Sequence, residues 1–168
     1  TVSVQDTYGT GLDCSATLSL TFTPGAPAYV LLSPQSGNVG QAVNLTLTSL
    51  DQYGNQAPAG AGRVTVRASG SAVVFDDGIA QLQGGTAMVF VRNTRAETVT
   101  LSMEDSFSSG WDVSDIKTMV FFANPATRYA FVSVPMEVSV DDAAEISVHA
   151  LDEYGNVATT QQADVGVQ

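Results

Sequence analysis

The sequence predicts an all-β protein built of tandem seven-stranded β-sandwiches, and two observations support this. Apolar and polar residues alternate in short runs bounded by Gly, Pro, Asn or Asp, which is the two-residue period of half-buried strands. No run shows a convincing helical period. The chain also repeats itself at a nearly constant spacing, which is typical of a modular array.

The repeat is visible in three stretches, separated by 99, 100 and 101 positions: residues 1–13 with 100–112, 20–33 with 120–133, and LDQYGN at 50–55 with LDEYGN at 151–156. Single-residue shifts of this kind are typical of loop insertions. A similar phrase at residues 4–10, VQDTYGT, aligns instead with the region around Asp105 and belongs to a different turn.

This spacing divides the chain into three segments. Residues 1–26 are predicted to be the last two strands of one module, residues 27–126 a complete module, and residues 127–168 the first strands of a third. The linkers TPGAP at 23–27 and ANPAT at 123–127 are short and contain proline, so we expect them to be semi-rigid.

Within the complete module the alternation predicts seven strands, at residues 28–33, 42–50, 63–68, 72–75, 86–92, 97–104 and 116–123. Seven short strands in a unit of this length, with turn residues between them, are the number expected of an immunoglobulin-like sandwich.

The phrase LTFTPGAPAYVLLS, followed by a strand and the motif D-x-Y-G-N, resembles the tandem bacterial immunoglobulin-like modules of invasin and intimin type. Filamin-type repeats carry a similar phrase and are a weaker resemblance. Either resemblance implies an immunoglobulin-like fold but no single activity. The Cys-Trp-Cys core of antibody domains is missing, so no antibody-like role is implied.

The D-x-Y-G-N motif is explained mostly by turn chemistry. Asp can accept hydrogen bonds from its own backbone, Gly adopts positive φ, and Asn tolerates the left-handed region. The tyrosine needs another reason. We expect Tyr53 and Tyr154 to pack at the junctions between modules, with a ligand-binding role as the alternative. Tyr53 is further predicted to form an apolar cap with Phe107 and Trp111 against the preceding module.

Charged residues suggest a second junction contact. Arg92 and Arg95 lie in a turn at the exit end of the middle module, and Asp152 and Glu153 lie at the entry end of the next. The expected contact is an exposed ion pair worth ~0 to 1 kcal/mol. Such a pair would set orientation more than stability.

Two candidates lie away from the junctions. Asn44 opens the glycosylation sequon NLT on the outward face of a predicted strand, where a glycan could be attached if a eukaryote secretes the chain. Cys14, the single cysteine, aligns with Val113. It is either a small apolar residue or an intermolecular cross-link.

No cofactor and no enzymatic activity are expected. The only histidine, His149, lies on the outward face of a strand without a catalytic partner. Acidic pairs at 76–77, 104–105 and 141–142 are scattered over separate turns, whereas calcium needs six to eight oxygens at one point. Calcium at a module junction is retained only as an alternative.

The net charge of −11 argues against nucleic-acid partners, and no apolar run approaches the ~18 residues of a membrane-spanning helix. The tandem repeat and its resemblance to invasin and intimin modules lead us to expect an extracellular or cell-surface structural segment that forms a stalk, an adhesin shaft or a surface filament, including a flagellar one. Its partners would be neighbouring modules, a homopolymer or other surface proteins. The alternatives are a carbohydrate- or protein-binding adhesion module and an intracellular filamin-like cross-linker.

Overall fold

The computed structural model describes residues 1–58, 62–133 and 137–159. Within them the regular elements are strands and one short 3-10 turn at Asp76–Gly78, so the all-β prediction is confirmed. None of these residues forms a helix that is long and apolar enough to cross a membrane.

In chain order the strands are β1 Val2–Ser3, β2 Thr17–Leu18, β3 Tyr29–Pro34, β4 Gly37–Asn38, β5 Ala42–Leu50, β6 Arg63–Ala68, β7 Val73–Val74, β8 Ile79–Gln81, β9 Thr86–Arg92, β10 Thr98–Glu104, β11 Lys117–Phe122, β12 Arg128–Ser133 and β13 Ser147–Leu151.

Strands β3 to β11 form two sheets. One sheet has the order β3-β5-β9-β7 and the other the order β4-β11-β10-β6-β8. Neighbouring strands are antiparallel, except that β4 runs parallel to β11. Strand β5 lies in the middle of its sheet, with β3 on one side and β9 on the other.

One hydrophobic core lies between these two sheets. In β5, Val43, Leu45 and Leu47 are buried and alternate with partly exposed polar residues, because successive side chains of a strand point to opposite faces. The other sheet contributes Leu101 and Phe121 to the same core. The alternation read from the sequence therefore identifies the buried face correctly.

All seven strands predicted for residues 27–126 are present, and their ends differ from the prediction by at most one residue. The count is nevertheless wrong, because the described part of this segment contains nine strands. β4 consists of Gly37 and Asn38, residues that are depleted in strands, and it forms because β11 lies beside it. β8 follows a turn in which Asp76, Asp77 and Gly78 all have positive φ, and it pairs with β6.

The two end segments form small sheets of their own. β1 pairs with β2, and β12 pairs with β13. Many of their apolar side chains lie open to solvent. Phe22 is 86 % exposed and Phe131 is 64 % exposed, whereas Phe121 in the middle segment is 1 % exposed.

The structure corrects one part of the repeat alignment. Tyr29 pairs with Leu50, whereas Leu151 pairs with Arg128 and not with Tyr129. The side chain of Tyr29 lies over Gly54, and that of Arg128 lies over Gly155. The offset between equivalent residues of the two copies is therefore 99 positions up to residue 32 and 101 positions from residue 47 onward. The shared tyrosine letter misled the alignment, because backbone pairing and not side-chain identity defines equivalent positions.

The turn at residues 6–11 is distinct from the D-x-Y-G-N turns, as predicted. Asp6 accepts hydrogen bonds from the N–H groups of Tyr8 and Gly11, at 3.2 and 2.9 Å. Its counterpart Asp105 accepts from Ser109 and Gly110, at 2.8 and 2.9 Å. In both turns the carboxylate reaches a glycine five residues ahead.

Candidate functional site at the repeat junction

The first turn, residues 51–55, is organised around the carboxylate of Asp51. One carboxylate oxygen, Oδ1, accepts the backbone N–H groups of Tyr53 and Asn55, both at 2.9 Å. The side-chain amide of Asn55 donates to both oxygens, at 3.2 and 3.1 Å. Gly54 supplies the left-handed residue, with φ of 84°. Asp51 is 1 % exposed, so these bonds satisfy a buried carboxylate.

The second turn, residues 152–156, repeats this geometry. Asp152 accepts from the N–H groups of Tyr154 and Asn156, at 2.9 and 2.8 Å, and from the Asn156 side chain at 3.2 and 3.0 Å. Neither asparagine of the motif has positive φ. The sequence interpretation of that position is therefore wrong, because the asparagine serves as a donor to the aspartate.

Each aspartate also holds the linker that precedes its segment. The Gly25 N–H donates to Oδ2 of Asp51 at 2.9 Å, and the Asn124 N–H donates to Oδ2 of Asp152 at 3.1 Å. Gly25 and Asn124 are counterparts at the offset of 99. The same kind of hydrogen bond therefore anchors the linker at each end of residues 27–126.

These hydrogen bonds hold both carboxylates in their ionised form. The pKa of Asp51 is lowered to about 2, and the largest cause is the hydrogen bond from the Gly25 N–H. Burial raises the pKa of Asp152, but the hydrogen bonds from the Asn156 side chain and from the N–H groups of Asn156, Asn124 and Tyr154 together outweigh burial, so this pKa also lies below its ordinary value. A carboxylate that accepts several N–H groups is stabilised in its charged form.

Tyr154 packs on the turn between β4 and β5. A Cβ atom at residue 40 would overlap its phenol group, so this close approach requires glycine. Gly40 has φ of 80° and donates its N–H to the carbonyl of Asn93 at 2.7 Å. The ring therefore rests on a backbone surface that is fixed to the turn after β9.

Asn156 bonds to that same turn. Its Oδ1 accepts the N–H of Ala96 at 2.8 Å, and its Nδ2 donates to the carbonyl of Thr94 at 2.9 Å. We call the surface formed by Gly40 and residues 94–96 the trailing face of the middle segment. The second turn thus contacts this face through one aromatic ring and two hydrogen bonds.

The turn that carries residues 94–96 is itself internally bonded. The Asn93 side chain accepts the Arg95 N–H at 2.9 Å and donates to Glu97 at 2.9 Å. Glu97 also accepts the Ser71 N–H at 2.8 Å. The bond from Asn93 is the main cause that lowers the pKa of Glu97. The Thr94 carbonyl and the Ala96 N–H, which bond to Asn156, are therefore positioned by hydrogen bonds within the middle segment itself.

Asn124 contributes a side chain that the sequence analysis did not single out. Its Nδ2 donates to the carbonyl of Val39 at 3.2 Å and to Oε1 of Glu153 at 3.4 Å. It therefore bridges the two sides of the junction. Comparison of the linkers at the offset of 99 could have drawn attention to it, because Gly25 occupies the corresponding position.

The predicted ion pair between Arg92 or Arg95 and Asp152 or Glu153 is absent. Within the part of the chain that the structure describes, the salt bridges are Arg67 with Glu104 and Lys117 with Asp115. Asp152 is saturated by amide donors, and Glu153 receives the Asn124 amide. The junction is joined by neutral amides and backbone groups instead of by opposite charges.

The three aromatic residues of the predicted cap have different surroundings. Trp111 packs against the core of its own segment, and a Cβ at Gly62 would overlap its ring. Phe107 lies under the guanidinium of Arg63, 4.9 Å from its ring centroid. Tyr53 is 78 % exposed. Trp111 therefore closes the core of the middle segment, which differs from the predicted apolar cap.

The two candidates away from the junction have distinct environments. Asn44 is only partly exposed. Its Nδ2 lies 3.3 Å from the sulfur of Met88, and its buried Oδ1 has no partner within the described residues. Cys14 is a free thiol that lies 3.5 Å from the carbonyl of Leu12. Glycosylation of Asn44 and cross-linking of Cys14 stay predictions.

Among the described residues, no group of three or more His, Cys, Asp or Glu side chains is placed to hold a metal ion. His149 is exposed on β13, opposite Ala130. A groove of about 390 Å³ lies at the junction, lined among others by Arg95, Phe122 and Asn156.

No family model and no curated protein matches the chain. Among solved structures, a beta-glucuronidase of Parabacteroides merdae is similar over 61 % of this chain and 13 % of its own, with a TM-score of 0.50 and 12 % identity. A beta-glucuronidase from glycoside hydrolase family 2 is similar over 60 % of this chain and 12 % of its own, with a TM-score of 0.51 and 20 % identity.

Domains 4–9 of the surface layer protein SbsC match 81 % of this chain and 21 % of that chain, with a TM-score of 0.42 and 19 % identity. That TM-score supports no conclusion about fold or function. The chain spans less than a quarter of the length of each of these three structures. The two glucuronidase likenesses show a shared β-domain fold and nothing about activity.

Proposed function

We propose that residues 27–126 are a complete immunoglobulin-like module in a tandem array, of the kind found in invasin and intimin. Residues 1–26 would end the preceding module and residues 127–168 would begin the next. The sheet order supports this, because β3-β5-β9-β7 corresponds to strands ABED, and β11-β10-β6 corresponds to GFC. Strands β4 and β8 extend the second sheet at its two edges.

The exposed apolar residues of the end segments support the same division. At the offset of 99, Phe22 corresponds to Phe121, and Phe131 corresponds to Leu32. Phe121 and Leu32 are each 1 % exposed in the core of the middle segment. In each end segment, these exposed residues would be the core side of a sandwich that the described residues contain only in part.

The function that this arrangement favours is structural. The chain would be a segment of a long extracellular protein that forms a stalk, an adhesin shaft or a surface filament, without enzymatic activity. The observation that carries the proposal is the junction itself: Asp152 holds the linker, Tyr154 packs on Gly40, and Asn156 bonds to Thr94 and Ala96. These three contacts, together with a short linker, would fix the angle between successive modules.

The net charge fits the same role. With −11 over 168 residues, neighbouring arrays would repel one another laterally. The partners that the proposal requires are the modules before and after each one in the same chain.

The test is to remove the two side chains that reach across the junction. Y154A/N156A should let residues 127–159 reorient relative to residues 27–126. Residual dipolar couplings measured by NMR would then give different alignment tensors for the two parts, whereas the unchanged chain gives one. The matched control is Y53A/N55A, which makes the same changes in the first turn and should leave this angle fixed. A single shared tensor in Y154A/N156A would refute the proposal.

A further inference from the structure

The first turn carries the same side chains as the second but does not have the same neighbour. Its internal bonds match those of the second turn, from the closing bond between Asp51 N–H and the Asn55 carbonyl, 2.8 Å, to the linker bond with Gly25. The corresponding closing bond in the second turn is 2.9 Å. Tyr53 and Asn55 therefore project from a scaffold equivalent to the one that directs Tyr154 and Asn156 onto the trailing face.

We propose that residues 51–55 are a docking surface for the trailing face of another repeat of this kind, placed ahead of residues 1–26. The occupant is defined by three groups: a glycine at the counterpart of Gly40, a backbone carbonyl at that of Thr94, and a backbone N–H at that of Ala96. These counterparts fall outside residues 1–168. The inference rests on the proposed function and names the partner of the first turn.

The exposed fractions of the two tyrosines support this docking surface. Tyr53 is 78 % exposed and Tyr154, which rests on Gly40, is 40 % exposed. Within the described residues, the Asn55 side chain bonds only to Asp51, whereas Asn156 makes the same inner bonds and two further bonds across the junction. Within the described residues, the ring and the amide that reach a neighbouring segment in the second turn make no such contact in the first turn.

The glycine gives the surface its specificity. Any Cβ at residue 40 would overlap the Tyr154 phenol group. A trailing face with a larger residue there would exclude Tyr53 by the same overlap. The close fit therefore selects its partner by steric clash with larger residues and not by added attraction.

The first junction also lacks one contact of the second. Asn124 donates to Glu153 across the second junction. At the first junction, Gly25 stands in place of Asn124 and Gln52 in place of Glu153. The donor side chain of Asn124 and the acceptor carboxylate of Glu153 therefore have no equivalents there. Docking at the first turn would therefore depend on Tyr53 and Asn55.

In the test, the chain is extended ahead of Thr1 so that the preceding repeat is complete. Residues 27–99 of this sequence are joined directly to Thr1, because Thr1 is the counterpart of residue 100. In the added copy, Tyr29 and Tyr53 are replaced by phenylalanine so that nitration of the original Tyr53 can be measured separately by mass spectrometry. Cys14→Val, the residue of its counterpart, removes thiol side reactions.

The nitration rate of the original Tyr53 by tetranitromethane should fall roughly twofold on extension, as the exposed fractions of 78 % and 40 % indicate. Gly40→Ala in the added copy should return it to the rate of the unextended chain. Tyr129, which is 51 % exposed and lies beyond the middle segment from the added copy, serves as the internal standard. An unchanged rate for Tyr53 in an extended chain that has folded would overturn the inference.

Amide hydrogen exchange separates this outcome from failure of the proposed function. If residues 1–26 are the last strands of a repeat, the extension should slow exchange around Val4 and Phe22. Fast exchange there would contradict both the proposed function and the inference. Slow exchange with an unprotected Tyr53 would contradict the inference alone.

Discussion

The ring of Tyr154 rests on the backbone of Gly40, across the junction between residues 27–126 and the segment that follows. The contact exists because Gly40 has no Cβ and because its φ of 80° suits glycine. It joins two residues more than 100 positions apart, and neither is charged.

Gly40→Ala should open this junction. The added methyl overlaps Tyr154, so the second turn should move away and its amides at residues 153–156 should exchange roughly tenfold faster, the effect of losing ~1.4 kcal/mol of contact. Hydrogen exchange followed by mass spectrometry would measure this. The matched control is Gly110→Ala, where φ is 76° and a Cβ meets nothing within 4 Å. Equal effects on residues 153–156 from both variants would mean that backbone strain, and not the tyrosine contact, is responsible.

Asn124→Gly should loosen the second junction without disturbing either sheet. It removes the donor to Val39 and Glu153, and hydrogen bonds of this kind contribute roughly 0.5 to 1.5 kcal/mol each. Backbone relaxation measured by NMR should show larger-amplitude motion of residues 127–133 relative to β3–β11. Gly25→Asn is the control, since a Cβ there makes only ordinary contacts of 3.6 Å with Asp51. Unchanged relaxation in Asn124→Gly would assign the rigidity to Tyr154 and Asn156.

Acid should weaken the first turn in a defined pH range. The folded-state pKa of Asp51 is about 2, below the ordinary value of 3.8. Its contribution to stability is therefore complete above about pH 4 and is lost as the pH falls through about 2. Thermal unfolding measured from pH 7 to pH 2 should show a midpoint that falls mainly below pH 4.

Asp51→Asn should have a lower midpoint at pH 7, because an amide cannot accept the same set of N–H groups. It should also show a shallower decline below pH 4. A decline as steep as that of the unchanged chain would show that other carboxylates, such as Asp105, dominate the acid response.

Two phenylalanines at counterpart positions should respond very differently to truncation. Phe121→Ala removes a side chain that is 1 % exposed in the core, and such changes cost about 3 to 5 kcal/mol. Phe22→Ala, at a position that is 86 % exposed, should change the free energy of unfolding by less than about 0.5 kcal/mol. Chemical denaturation monitored through Trp111 fluorescence would measure both. A large loss from Phe22→Ala would mean that residues 1–26 are packed in solution.

Most of the secondary structure could be read from the sequence because alternation reports directly which side of a strand is buried. Each predicted strand in residues 27–126 is found within one residue of its expected ends. Strand β4 could not be found this way, since Gly37 and Asn38 have no strand preference and pair only because Phe121 and Phe122 lie beside them. The fine alignment of the repeat failed for a related reason, because letters do not reveal the register between strands.

The order of the amino acids is enough to establish that the chain is β-rich, repetitive and acidic, and that D-x-Y-G-N forms a turn in each copy. These properties depend on local periodicity, composition and backbone preference. The folded structure alone reveals that Asp51 and Asp152 hold the linkers, that Asn156 and Asn124 replace the expected ion pair, and that Tyr154 meets a glycine. Those contacts depend on where backbone carbonyls and N–H groups of distant turns lie, and residue type carries almost no information about that placement.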